Sequence, residues 1–128
     1  MSTTREPFHL HVYGPRQGSA DENSPSHSPI EASFEEATER LLHDIPAVLI
    51  EPDGSIAWAS PSHQIVGIIY DAGAVIRYVE LRGFCTPSQL IRLVATIAGA
   101  PKVGDFAVMR LPIRQWNNLQ QFANSLTD

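Results

Sequence analysis

The chain has 128 residues and a mass of 14.1 kDa, enough for one domain with a real core, and 43% hydrophobic against 18% charged residues excludes wholesale disorder. A formal net charge of −5 argues against a nucleic-acid binder, which presents a basic footprint, and no apolar run approaches the roughly 18 residues of a membrane span. The single cysteine, Cys85, cannot close an internal disulfide, and residues 1–7 are polar with no secretory signal pattern, so the expected address is cytoplasmic.

The first element is a strand. Phe8, Leu10 and Val12 alternate with His9, His11 and Tyr13, the period of a half-buried strand. Residues 14–32 are rich in Pro, Ser, Gly, Asn and Asp and read as a flexible linker, which makes residues 1–13 an N-terminal arm. One α+β domain is then expected over residues 33–126. Ser33 and Glu36 form a capping box, followed by the apolar stripe Phe34, Ala37, Leu41 and Leu42, and Pro46 ends this helix.

Two hairpins follow. The first turns at Pro52-Asp53-Gly54-Ser55, and a two-residue Asp53-Gly54 loop would pair Leu49 with Trp58. The second turns around Ala72-Gly73, which would set Tyr78 opposite Gly67 and Glu80 opposite Ile65. Thr86, Pro87 and Gln89 then cap a helix whose residues Leu90, Leu93, Val94 and Ile97 face the core, and Gly99 stops it. Residues 106–111 read as a strand. Ile113, Trp116, Leu119, Ala123 and Leu126 read as a last amphipathic helix. The expected fold is an α+β two-layer sandwich, a mostly antiparallel meander of four to six strands with about three helices.

Few residues point to chemistry. His9 and His11, at i and i+2 on a strand, project the same way and are weak candidates for a metal, but no third ligand is predicted beside them. Cys85, one residue before a helix cap, is a weak candidate nucleophile, set against the frequent burial of cysteine. Trp58, Trp116 and the other aromatics are spaced as core or cross-strand residues. No phosphate-binding glycine pattern, Gly-x-Ser-x-Gly, Cys-x-x-Cys or His-Glu-x-x-His is present.

Asp71 followed by Glu80-Leu81-Arg82 resembles the carboxylate pair and basic residue of metal-dependent nucleases of the PD-(D/E)xK type, in outline over residues 33–111. That resemblance implies a metal-binding role for Asp71 and Glu80. Arg82 stands where the family has lysine, and the predicted hairpin separates the two carboxylates by roughly 20 Å, so the pair is expected to be inert. The broad mixture of helices and strands is similar to that of small acidic secretion chaperones, without a shared motif.

Charge is split along the chain. Residues 1–75 hold three Lys/Arg against eleven Asp/Glu, and residues 76–128 hold six against three. With a tethered strand and no catalytic constellation, the sequence reads as a non-catalytic interaction or self-associating module with a protein or peptide partner, a homodimer included. No cofactor, nucleic acid or membrane is expected. The alternative is a metal-dependent hydrolase, or a degenerate nuclease-like domain, using His9 and His11 or the region of Glu80 and Arg82.

Overall fold

The structure, a computed structural model, describes residues 7–17 and 26–126. In chain order the elements are β1 (Phe8–Gln17), β2 (Ser26–His27), α1 (Phe34–Asp44), β3 (Leu49–Ile50), β4 (Ser55–Ser60), β5 (His63–Ala72), β6 (Val75–Phe84), α2 (Pro87–Ala98), β7 (Phe106–Arg110), β8 (Gln115–Asn118) and α3 (Leu119–Asn124). The sheet runs β3-β4-β5-β6-β1-β7-β8, with the short β2 paired to β1. This is the expected α+β architecture of antiparallel sheet and helices, with seven strands in the main path rather than four to six.

The strand β1 lies inside the sheet, between β6 and β7. It pairs Leu10 with Leu81 and Val12 with Val79 on one side, and Val12 with Val108 on the other. Its proline is tolerated because the register with β7 shifts between Val12 and Pro15, a bulge where a missing N–H breaks no ladder. Both ends of the expected 14–32 linker are placed in the fold. Residues 14–17 continue β1, residues 26–27 pair back onto it, and Ile30 is fully buried and bridged to Ile76. Residues 18–25 of that stretch lie outside the described residues.

Both predicted capping boxes are formed. Ser33 Oγ accepts from the Glu36 N–H while the Glu36 carboxylate accepts from the Ser33 N–H, and Thr86 and Gln89 repeat the exchange. Arg40 of α1 donates to the carbonyls of Thr96 and Ile97 at the end of α2, and Arg92 of α2 donates to Asp44 at the end of α1. Each guanidinium therefore satisfies orphan carbonyls of the other helix. Helix α2 also packs on α3, and all three helices share one apolar cluster with Leu10, Val12, Ile56, Trp58, Ile65, Val79 and Leu81 of the sheet. Leu42, placed on the α1 stripe by its spacing, points outward and is exposed.

Three local expectations are corrected. The first hairpin pairs Leu49 with Ala57, not Trp58, because its loop has three residues, closed by Glu51 and Ser55 with Gly54 at φ +96°. That one-residue change puts Trp58 on the helix side, where it is buried. The second hairpin turns at Gly73-Ala74, both at positive φ, so Tyr78 faces Tyr70 and Glu80 faces Ile68. Residues 113–126 are not one helix. Trp116 lies on β8 opposite Met109, and Asn118 caps the six-residue α3 through Gln121. Asn is a strong N-cap and a poor interior residue, which starts the helix later than the apolar spacing suggested. Among the described residues no helix is long and apolar enough to cross a membrane.

Candidate functional site

With the helices on one face, every second residue of each strand falls on the other. His11 of β1 is directly opposite Glu80 of β6, and His9 is opposite Arg82, so the four side chains share the uncovered face. There they converge. His9 Nε2 lies 2.7 Å from Glu80 Oε2, His11 Nε2 lies 3.5 Å from the same oxygen, and an Arg82 guanidinium nitrogen lies 3.9 Å away. The two imidazoles and the carboxylate are each less than one-third exposed, whereas the Arg82 side chain is 60% exposed. Hydrogen bonding from His9, with His11 and Arg82 adding to it, holds the Glu80 carboxyl below the usual carboxylate range against the opposing cost of burial.

Beside this triad runs a strip of rings. Tyr70 stacks on Tyr78 at 4.6 Å, Tyr78 meets His11 at 4.8 Å and Tyr13 at 5.3 Å, and Tyr13 meets Trp116 at 5.4 Å. The strip takes its rings from β5, β6, β1 and β8. Burial raises the Tyr13 and Tyr78 hydroxyls above the usual tyrosine value, with Tyr78 acting on Tyr13, and Tyr70 and Glu80 acting on Tyr78. Leu49, Val66 and Tyr70 are exposed on the same face.

The structure thus brings together four of the residues singled out by sequence, His9, His11, Glu80 and Arg82, and adds what the sequence lacked: Glu80 is the third donor beside His9 and His11. Their ligand atoms all lie within 4.8 Å of one another, a set able to hold a divalent cation. The signal was present as two outward triplets, His9-x-His11-x-Tyr13 and Tyr78-x-Glu80-x-Arg82. Reading them together requires knowing that β1 and β6 are neighbours, which 70 or so intervening residues hide from any local pattern.

The nuclease-like pair does not form. Asp71 pairs with Ile76, four residues along β6 from Glu80, a separation of about 13 Å at 3.3 Å per residue, and Glu80 faces Ile68 and His11. Cys85 is 2% exposed and belongs to the core cluster, so it is not presented to a substrate. His63 is buried against Trp58, with its Nδ1 near Ser60 and Gln89, on the helix side. His43 lies on the exposed end of α1 beside Asp44. Compared with protein-family models, curated proteins and solved structures, the chain matches none.

Proposed function

We propose that this chain is a non-catalytic, self-associating interaction module in which the uncovered sheet face of one copy packs on that of a second. The observation that carries this reading is the aromatic strip from Tyr70 to Trp116, flanked by exposed Leu49 and Val66, on the sheet face opposite the three helices of the described residues. Aromatic side chains dominate protein interfaces because they bury much area at little entropic cost. Seven strands about 4.8 Å apart and about 20 Å long offer roughly 600 Å² per copy, or about 1,200 Å² in a pair, the lower end of stable interfaces. Glu80 and Arg82 lie side by side, so a two-fold axis passing between them would set the arginine of each copy against the carboxylate of the other.

Sedimentation equilibrium over a wide concentration range tests this. The expected result is a dimer, converted to a folded monomer by Val66→Glu with Tyr70→Glu and left intact by Leu42→Glu on the exposed side of α1. A wild-type chain that stays monomeric throughout, or a dimer indifferent to the paired substitution, refutes the proposal.

One observation favours a second reading, a metal-dependent hydrolase. Two histidines and a glutamate would leave a coordination position open for water, the arrangement of catalytic zinc sites. Zinc-dependent cleavage of an activated ester or phosphodiester, abolished by Glu80→Gln, would establish it. Absence of turnover at any zinc loading eliminates it.

A further inference from the structure

Self-association leaves unexplained why two imidazoles and a carboxylate converge on one point of the sheet. We infer that His9, His11 and Glu80 form a binding site for a first-row transition-metal ion, with zinc the best match. The inference requires neither dimer formation nor catalysis.

The first argument is placement. All three donors stand on β1 and β6, two interior strands paired over residues 8–12 and 79–83, so their backbone is held by ladder hydrogen bonds on both sides. The Tyr78 ring, 4.8 Å from His11, packs against that imidazole and limits its rotation. A site whose donors are fixed before the ion arrives loses little entropy on binding.

The second argument is geometry. Donors about 2.0–2.1 Å from a tetrahedral zinc lie roughly 3.3 Å from one another. His11 Nε2 and Glu80 Oε2, at 3.5 Å, already have that spacing. His9 Nε2 and Glu80 Oε2, at 2.7 Å, share a hydrogen bond that the ion would replace, opening by about half an ångström as the proton leaves. Both histidines approach through Nε2, and no donor is further than 4.8 Å from another.

The third argument is chemical class. Paired imidazoles with one carboxylate suit zinc, copper, nickel or ferrous iron, whereas calcium and magnesium require mostly oxygen donors. Arg82 approaches the carboxylate at 3.9 Å and its charge opposes a cation, but a side chain 60% exposed can turn into water. The fourth position is left to solvent or to a donor from another molecule.

The test uses the whole chain, purified without a histidine tag, stripped of metal and titrated with zinc chloride by calorimetry. Imidazole resonances are followed in parallel. The expected result is saturation at one zinc per chain, with the resonances of His9 and His11 shifting and those of His43 and His63 unmoved. Calcium and magnesium should give no heat. His11→Ala and the near-isosteric Glu80→Gln should each weaken binding by roughly tenfold or more, with His43→Ala as an unaffected control. Melting curves of the metal-free variants establish that they fold. Failure of the wild-type chain to saturate, undiminished binding by folded His11→Ala or Glu80→Gln, or dependence on His43, would each overturn the assignment.

Discussion

On the helix-covered face of the sheet, Leu10, Val12, Val79 and Leu81 meet across β1 and β6 at 2% exposure or less. At the alternate positions of the same two strands, His9, His11, Tyr78 and Glu80 meet on the face the helices leave bare. The two faces obey different rules. Burial on the first is non-directional, so any well-packed apolar side chain serves and alternation alone marks the positions. Contacts on the second depend on which residue stands opposite which, because hydrogen bonds and ring stacking are short-ranged and oriented. Stability should therefore reside in the first face and recognition in the second.

The largest effect that separates them is a cavity. Leu81→Ala removes a fully buried side chain in the middle of the sheet and should cost about 2–5 kcal/mol in denaturant unfolding. Its neighbour on the bare face should cost less. Tyr78→Ala breaks stacking with Tyr70, Tyr13 and His11, which at roughly 0.5–1.5 kcal/mol per aromatic pair is partly offset by renewed hydration of an open surface. A Tyr78→Ala chain that unfolds as readily as Leu81→Ala would show that the bare face belongs to the structural core, and the division of labour would fail.

The same contrast decides what was legible in the sequence. Alternation marks Leu10 and Val12 as one apolar side of a strand, but on an arm outside the 33–126 domain and not in its core, whereas both long helices follow from Ser33-Glu36 and Thr86-Gln89, signals confined to a few residues. The bare face was not legible, because its content is register. Placing the turn at Ala72-Gly73 instead of Gly73-Ala74, without the bulge at Tyr70/Asp71, moved Glu80 from Ile68 to Ile65. The spacing of Trp116 to Leu119 and Ala123 is helical, but the strong cap at Asn118 restarts the chain between them. Glu80 is a partner of His11 only because β1 inserts beside β6, a pairing no local periodicity encodes.

The smallest effect tests the weak end of the comparison, a polar interaction on the outside of the helix layer. The Glu36 carboxylate accepts the Ser33 backbone N–H, and that bond, with the side-chain contact to Ser33 and the charge of Arg40 adding to it, lowers its pKa below the ordinary 4.5. A carboxyl whose folded pKa is depressed binds a proton more readily in the unfolded chain. The stabilisation is therefore fully present above the unfolded value and is lost as pH falls through the lower, folded value. Lowering the pH through that window should weaken the first turn of α1, and Glu36→Gln, which keeps an acceptor without the charge, should remove this part of the acid dependence. The effect on global unfolding should be slight because the side chain is fully exposed to water. The sensitive measurement is a carboxyl titration by nuclear magnetic resonance, read together with exchange of the Ser33 amide. A Glu36 that titrates at its ordinary value, with Ser33 exchanging freely, would mean that the capping box is open in solution and that α1 is held by Ala37 and Leu41 alone.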